Sequence, residues 1–212
     1  MSIFHHEGLY RSAGLMMLAH DLKVTICGAG ALGGTMADHL ARTGFAHITV
    51  IDRDRVEERN LSMGPYFRGD IGGLKATILA NSIYRAVGTT VEAIAKELTA
   101  ENAGKMLRGS GLVLDLFVNS IARSAVTGEC AKQGIPCLHV GLAGDYAEII
   151  WNREYRVPSA AQDDICDYPL ARNLVMMAVA VAGETVMEWL ATGLEQSQTV
   201  TLRDFAIRPF NN

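Results

Sequence analysis

Short apolar runs alternate along this chain with stretches in which apolar residues recur every three or four positions. Five runs have the length and β-branched content of buried strands, and they cover residues 24–27, 46–52, 90–95, 111–117 and 135–140. The stretches between them predict helices, because a 3.6-residue period places those apolar side chains on one face. The alternation of strand and helix predicts an α/β domain with a largely parallel, doubly wound sheet.

The helical pattern is clearest directly after the first strand. Leu32, Met36 and Leu40 lie at helical spacing, and Gly44 follows them as a predicted C-terminal cap. Thr99 is the predicted N-cap of a later helix. Further helices are predicted from Lys75 onward and over residues 99–107, 120–133 and 170–190.

The first twenty-one residues and the segment after residue 146 have weaker patterns. Residues 147–151 predict a strand that pairs antiparallel near the C-terminal edge of the sheet, and residues 199–206 predict an edge strand. Residues 152–168 have no clear pattern and predict a loop. Residues 1–21 predict an N-terminal extension with a short amphipathic helix, followed by a single domain over residues 22–212.

Composition and charge narrow the class of protein. The chain has 212 residues and a formal net charge of −4, which argues against nonspecific binding to nucleic acid or to acidic membranes. The apolar run over residues 174–183 is too short to cross a bilayer, and the first twenty residues do not resemble a signal peptide. We therefore expect a cytoplasmic protein that binds neither nucleic acid nor membrane. Cys27, Cys130 and Cys137 lie in apolar patterns and are expected to be reduced core residues.

A glycine-rich turn follows the first strand and is the main functional signal. Gly28, Gly30 and Gly33 lie between that strand and a helix, in the context of a Rossmann-like nucleotide-binding turn. The helix N-terminus would direct unpaired N–H groups at a phosphate. Asp52 ends the second strand, nineteen residues after Gly33, where a carboxylate can bind ribose hydroxyls.

Charged residues near the carboxyl ends of other strands add to this site. Lys75 lies in the first turn of a predicted helix, where the helix dipole makes a cation mildly unfavourable. A lysine at this position is therefore better explained by a bound phosphate than by helix structure. Asp115 is a lone carboxylate in an apolar strand and needs a partner or a place at the ligand edge. His139, on another apolar strand, is interpreted as a hydrogen-bonded core histidine.

These residues, taken in order, resemble the ThiF/MoeB/HesA family, the relatives of the adenylation domain of ubiquitin-activating enzymes. The motifs that carry the resemblance are GAGALGG at the turn, Asp52-x-Asp54-x-Val56-Glu57, Asn60-Leu61, Asp70-Ile71-Gly72-x-x-Lys75-Ala76, Leu112-Val113-Leu114-Asp115 with Asn119 and Arg123, and Gly134-Ile135-Pro136. The similarity covers about residues 22–150 and returns more loosely in the last helix.

The resemblance implies an ATP- and Mg²⁺-dependent enzyme, a homodimer, that adenylates the C-terminal carboxylate of a small ubiquitin-like or sulfur-carrier protein ending in Gly-Gly. It assigns the glycine turn to the nucleotide, Asp52 to the ribose, and Asn60 and Lys75 to the phosphates, with Lys75 offsetting charge during transfer. The nucleotide-binding positions that it implies are Gly28, Gly30, Gly33, Asp52, Asp54, Asn60, Arg68, Lys75, Asp115 and Asn119.

Two departures from the family pattern affect the phosphate and metal positions. Met63 and Gly64 stand where the family commonly has Arg-Gln, and Val118 stands where the family has a second aspartate that helps to place magnesium. Arg68 and Asp115 are hypothesised to compensate, Asp115 as the magnesium ligand. The paired C-x-x-C zinc ligands of many relatives are absent, so no structural zinc is expected.

Two further residues are open to more than one interpretation. Cys166 lies in the predicted loop, where relatives can carry the activated partner as a thioester or acyl disulfide, but the flanking aspartates would raise its pKa. A structural or incidental cysteine is the alternative. In the family an arginine near the N-terminus can reach into the ATP site of the neighbouring subunit. Arg11 matches the position of that arginine poorly, so we interpret it as a surface arginine.

Three functions are compatible with these features. The first is the adenylyltransferase described above. The second is a catalytically impaired member that serves as a nucleotide-binding scaffold or partner subunit, which Met63 and Val118 favour. The third is a nicotinamide-dependent oxidoreductase, which the glycine turn and Asp52 permit but which leaves the segment from Asn60 to Lys75 unexplained.

Overall fold

The computed structural model describes residues 3–159 and 169–210. These residues form a mixed eight-stranded sheet in the order β3-β2-β1-β4-β5-β6-β7-β8. Neighbouring strands from β3 to β5 pair in parallel, and β5 to β8 pair antiparallel. The strands are β1 Lys23–Cys27, β2 His47–Ile51, β3 Val91–Ile94, β4 Leu112–Asp115, β5 Cys137–Ala143, β6 Tyr146–Trp151, β7 Gln198–Thr201 and β8 Ala206–Pro209. The predicted fold class is confirmed, including the antiparallel C-terminal edge.

Helices connect the parallel strands and cover the sheet. They are α1 His5–Tyr10, α2 Ala13–Asp21, α3 Ala31–Thr43, α4 Lys75–Val87, α5 Ala103–Met106, α6 Ser120–Gln133 and α7 Arg172–Thr192, with single 3₁₀ turns at Glu58–Asn60 and Arg68–Asp70. Gly44 caps α3 with a left-handed φ of 112°, as its position after the apolar pattern predicts.

Alternating side chains of the parallel strands build two hydrophobic clusters. Val24 and Ile26 of β1 belong to the larger cluster, which includes buried residues of α3, α4 and α7. Cys27 belongs to a smaller cluster with residues of α5 and α6. Strand side chains alternate between the two faces of the sheet, so these two clusters lie on opposite faces and each is covered by helices.

Two predicted elements differ from the structure. The helix predicted over residues 99–107 is the four-residue α5, because Asn102 ties the preceding segment into a turn. Its side chain accepts from Thr99 N–H at 2.9 Å and donates to the Glu97 carbonyl at 2.8 Å. Thr99 is therefore not the N-cap, and Asn102 takes that position.

The edge strand predicted over residues 199–206 is present as two strands and not as one, because the segment turns back on itself after Thr201. Asp204 accepts hydrogen bonds from Thr201 Oγ1 and, at 2.6 Å, from Arg208 Nη2. Phe205 adopts a left-handed φ of 52° in the same turn. The result is a hairpin of β7 and β8, with β8 at the edge of the sheet.

The N-terminal extension packs on its own chain. Arg11 donates to Glu7 Oε2 at 2.7 Å and pairs with Glu184 of α7 through both terminal nitrogens. These hydrogen bonds, that to Glu184 first, raise the pKa of Arg11. The Arg11 side chain is only 9% exposed, so it links the extension to α7 and is not a free surface residue.

Helix α7 is longer than the apolar run within it. By length and composition alone, this 21-residue helix could cross a membrane. Half of the apolar segment is buried inside this fold, where Ala182 and Val186 join the larger cluster. A core helix of this kind is weak evidence for a membrane span.

Candidate nucleotide-binding site

The glycine turn lies at the carboxyl ends of the parallel strands, and the chain conformation requires two of its three glycines. Gly28 has a φ of 100°, a left-handed conformation that L side chains rarely adopt. A Cβ on Gly33 would lie 2.7 Å from the Gly28 carbonyl carbon and still closer to its oxygen. Gly33 therefore allows α3 to begin directly against the end of β1.

Gly30 differs from its two neighbours because no protein atom requires a glycine there. It is the N-cap of α3, with a φ of −72°, and a Cβ on it would meet nothing within 4 Å. The space beside this backbone faces the first turn of α3, whose amide groups are suited to a phosphate. This geometry fits the predicted role of Gly30, which is to let a phosphate approach the backbone closely.

Asp52 ties the glycine turn to the end of β2. It is 7% exposed, and its Oδ2 accepts from Ala29 N–H at 2.6 Å while its Oδ1 accepts from Asp54 N–H at 2.7 Å. Burial raises the Asp52 pKa, against the opposing effects of these hydrogen bonds and of the Lys75 charge. A carboxylate has about four acceptor positions, so two remain for the ribose hydroxyls predicted to bind here.

Lys75 is brought to the same edge by backbone pairing between two loops. Its N–H donates to the Asp54 carbonyl at 2.9 Å, and its Nζ lies 3.2 Å from Asp54 Oδ2. Lys75 is 8% exposed although it begins α4, the end of a helix where a cation is disfavoured. The structure thus brings together Gly28, Gly30, Gly33, Asp52, Asp54 and Lys75 of the predicted set.

Asp115 lies at the end of β4, where its carboxylate pairs with the buried side chain of His139. Its Oδ2 is 2.8 Å from Nδ1 of His139, and its Oδ1 accepts from Phe117 N–H at 3.2 Å. Both Asp115 and His139 are 0% exposed. The interpretation of His139 as a hydrogen-bonded core histidine agrees with this geometry, while the role of Asp115 toward magnesium stays a prediction.

The residues implied for Mg²⁺ do not fit the ion well. Asp115 has no exposed surface, and Val118, at the position of the family's second aspartate, is 64% exposed and offers no ligand atom. Among these positions the structure offers no accessible carboxylate. The carboxylate beside Lys75 belongs to Asp54, whose side chain is 58% exposed.

A buried polar network extends inward from Asp115 and was not predicted as a unit. Arg123 donates from Nε to the Phe117 carbonyl at 2.7 Å, from Nη1 to the Tyr155 hydroxyl at 2.8 Å and from Nη2 to the Val140 carbonyl at 3.0 Å. The Tyr155 ring stacks on His139 with centroids 3.7 Å apart. Burial raises the pKa of Tyr155 to about 12. Strand register could have revealed part of this network, because Asp115 and His139 are paired residues of β4 and β5.

The remaining predicted positions serve local backbone structure here. Asn60 Oδ1 accepts from Glu57 N–H at 2.9 Å, and Asn119 Oδ1 caps α6 by accepting from Ala122 N–H at 2.7 Å. Arg68 is exposed at the start of a 3₁₀ turn. Their nucleotide contacts stay predictions, and for both asparagines a ligand would have to bind the amide nitrogen or a remaining lone pair.

The described cysteines are structural. Cys27, Cys130 and Cys137 are free and buried, as predicted. Burial raises the pKa of Cys27 and of Cys137 well above the ordinary thiol value, which keeps both as unreactive thiols. Cys166 lies outside the described residues, so its predicted role stays open.

Comparison with known proteins places this geometry in a family. The sequence profile of the ThiF family matches residues 9–168, more than half of the chain. The chain belongs to the ThiF family. The resemblance inferred from the motifs is thereby confirmed, and its divergent positions, Met63 and Val118, lie inside the matched region.

Curated relatives of the chain include adenylyltransferases, a SAMP-activating enzyme and tRNA threonylcarbamoyladenosine dehydratases. The chain is 30% identical over 130 residues to the sulfur carrier protein ThiS adenylyltransferase of Bacillus subtilis, a stretch that covers 59% of this chain and 39% of the relative. Other relatives are the adenylyltransferase and sulfurtransferase UBA4 of Yarrowia lipolytica, the SAMP-activating enzyme E1 of Haloferax volcanii and a sulfur carrier protein adenylyltransferase of Thermus thermophilus. The chain thus spans less than half the length of these relatives.

Solved structures of ThiF-fold proteins confirm the architecture. Escherichia coli MccB with MccA-N7isoASN superposes with a TM-score of 0.84 at 15% identity, covering 99% of this chain and 71% of that one. Escherichia coli TcdA, a tRNA N6-threonylcarbamoyladenosine dehydratase, superposes with a TM-score of 0.79 at 20% identity, covering 90% and 95%. At these identities the likeness concerns the fold alone.

Proposed function

We propose that this ThiF-family chain is an ATP-dependent adenylyltransferase that activates the C-terminal carboxylate of a small ubiquitin-like or sulfur-carrier protein. The observation that carries the proposal is the buried Lys75 beside the glycine turn and Asp52, at the strand edge where open α/β sheets bind ligands. The functions of the curated relatives support the reaction class.

The chain's own residues account for nucleotide binding in this proposal. The amides at the start of α3 bind phosphate oxygens beside Gly30, and Asp52 binds the ribose. Lys75 exchanges its contact with Asp54 for the phosphates and stabilises negative charge in the transition state. In the reaction an oxygen of the partner's carboxylate bonds to the α-phosphorus, the α–β phosphoanhydride breaks, and pyrophosphate leaves.

Magnesium is treated separately because its implied ligands fit poorly. Bound Mg²⁺ would neutralise charge on the phosphates, but Asp115 is enclosed and Val118 cannot coordinate, so no step is assigned to a protein-held ion. ATP as its magnesium complex remains the expected substrate. A partner ending in Gly-Gly, a homodimeric state and a cytoplasmic location are parts of the proposal that follow from the family resemblance and the composition.

The test is ATP–pyrophosphate exchange in the presence of candidate sulfur-carrier proteins ending in Gly-Gly. We expect exchange to depend on the partner and to fall at least about 100-fold in Lys75→Ala, the scale of removing one charge-stabilising group. Lys105→Ala is the matched control, because Lys105 is exposed on α5 and does not belong to the site. Calorimetry that detects no binding of Mg·ATP to the wild-type chain would remove the proposal.

The second candidate function is a catalytically impaired nucleotide-binding scaffold. Val118 favours it, because an exposed apolar side chain stands where the family pattern has a carboxylate. ATP binding without exchange for any tested partner would support the scaffold. Val118→Asp separates the two functions: the change lies on the surface, and a gain of exchange activity would show that this carboxylate was the missing group.

Cys166 is tested by the same reaction carried one step further. If this thiol accepts the activated partner, a covalent complex sensitive to thiols forms with ATP and disappears in Cys166→Ser. Cys130→Ser is the control, because Cys130 is buried and free. A complex that persists in Cys166→Ser would assign the cysteine an incidental role.

A further inference from the structure

Three side chains of types that can ligate a metal lie together on the surface, at the end of the strands opposite the glycine turn. His20, Asp21 and His47 each offer one ligand atom, and these atoms lie within 4.8 Å of one another. All three residues are exposed. We refer to them as the His–Asp–His cluster. Neither the motifs of the sequence nor the family resemblance singles them out.

Rigid elements hold the cluster in place. His20 and Asp21 are the last two residues of α2, and His47 is the first residue of β2. One residue separates α2 from β1, and Lys23 of β1 is the register partner of His47. The end of α2 is therefore placed against the start of β2 by the pairing of β1 and β2.

The ligand types suit zinc. Two imidazoles and one carboxylate are a common donor set for Zn²⁺, with water in the fourth position. The His20 Nδ1 and Asp21 Oδ1 atoms are already 2.9 Å apart, and the rings of His20 and His47 meet edge to face at 5.9 Å. Tetrahedral ligands at 2.0–2.2 Å from the ion are separated by roughly 3.4 Å, so exposed side chains need only small rotations to converge.

We propose that His20, Asp21 and His47 bind one Zn²⁺ ion that joins the N-terminal extension to the sheet. The carboxylate of Asp21 offsets part of the ion's charge. Lys23, the register partner of His47, carries a charge that opposes the ion, but it is exposed, so solvent and salt screen its repulsion. The cluster is at the amino ends of β1 and β2, opposite the candidate nucleotide site, so the proposal does not depend on the proposed function.

The experiment measures zinc binding by the whole chain after its metals have been removed with a chelator. Titration calorimetry with ZnCl₂ should give one ion per chain, and thermal unfolding with Zn²⁺ should occur at a higher temperature than without it. His20→Ala and His47→Ala should each weaken binding at least about tenfold, because even outer-shell partners of a metal ligand have effects of 10–100-fold. Both variants should also lose the zinc-dependent rise in Tm.

Two other histidines of the extension provide the matched control. His5 and His6 are exposed neighbours on α1 whose rings lie 5.6 Å apart, so a double His5→Ala/His6→Ala variant removes as many surface histidines as the cluster contains. It should bind zinc as the wild type does. Co²⁺ added to the wild-type chain should give the visible absorption of a four-coordinate site, and His47→Ala should abolish it.

Each contrary result overturns the proposal. Absence of zinc binding to the wild-type chain would do so, as would undiminished binding by His47→Ala. Loss of binding in the His5→Ala/His6→Ala variant would place the ion elsewhere. A stoichiometry of one ion per two chains, with zinc-dependent dimerisation by light scattering, would show an intermolecular bridge in place of the intrachain site.

Discussion

Two glycines of the same turn should respond differently to an added methyl group. In Gly33→Ala the new Cβ would lie 2.7 Å from the Gly28 carbonyl carbon and closer to its oxygen. The optimal separation of such atoms is about 3.5 Å, so α3 and the end of β1 must separate by about 1 Å or more. Both elements belong to the close-packed core, where overpacking has its largest effects.

This geometry sets the expected loss of stability. We expect Gly33→Ala to destabilise the fold by about 3 kcal/mol or more, at the upper end of overpacking effects. For a domain of this size that is a fall in Tm of about 6–12 °C. Gly30→Ala should cost less than about 1 kcal/mol, because its Cβ meets no protein atom and only the weak N-cap preference is lost.

Nucleotide binding separates the two variants further. Gly30→Ala should fold normally yet bind Mg·ATP at least tenfold more weakly, a difference of about 1.4 kcal/mol, since the methyl group occupies the space beside the phosphate. Urea unfolding gives the stability, and titration calorimetry gives the affinity. A Gly33→Ala protein within 0.5 kcal/mol of wild type would refute the packing argument. Unchanged affinity in Gly30→Ala would refute the placement of the phosphate.

Three further predictions concern the core. Gly183→Ala should lower the free energy of unfolding in urea by about 1–3 kcal/mol, because its Cβ would lie 2.5 Å from Nε2 of His39. The control Gly128→Ala, in open space on α6, should be neutral or should stabilise the fold by up to about 1 kcal/mol. Equal effects of the two substitutions would contradict the predicted clash with His39. Burial lowers the His39 pKa below its ordinary 6.5, so the unfolded chain takes up the proton first and stability falls as the pH drops below 6.5. His39→Gln should reduce this loss of stability at low pH, and an unaltered dependence of stability on pH would show that His39 is not its source. Arg123→Met should destabilise the fold by about 3 kcal/mol or more, because it removes the charged donor of three hydrogen bonds, two of them buried. A near-neutral result by urea unfolding would show that water replaces the guanidinium.

Local signals in the sequence were sufficient for the parallel half of the fold. The glycine turn, the apolar strands and the Gly44 cap depend on neighbouring residues, and each is confirmed. Lys75 was singled out for the same reason, since its place at the start of α4 is a local property. Its burial and its contact with Asp54 could not be predicted, because they depend on the pairing of two loops about twenty residues apart.

Competition between partners explains what the sequence left unresolved. Asn102 occupies the N-cap position of α5, but its side chain binds Thr99 N–H and the Glu97 carbonyl of the preceding turn and does not cap the helix amides. Asn60 and Asn119 stand at positions that the resemblance assigns to the nucleotide, but their side-chain oxygens already accept from the nearby Glu57 and Ala122 N–H groups. Asp115 finds His139 only when β4 and β5 come into register.

The strand order has a consequence for synthesis on the ribosome. The crevice beside the glycine turn is flanked by β2 on one side and by the end of β4 on the other, where Leu116 N–H donates to the Cys27 carbonyl at 2.9 Å. A nascent chain that has emerged only as far as β3 has completed the glycine-rich segment but lacks one wall of the crevice. If the chain binds ATP as proposed, the nucleotide therefore has no finished pocket until β4 is released, and it can stabilise the product of folding without guiding its early stages.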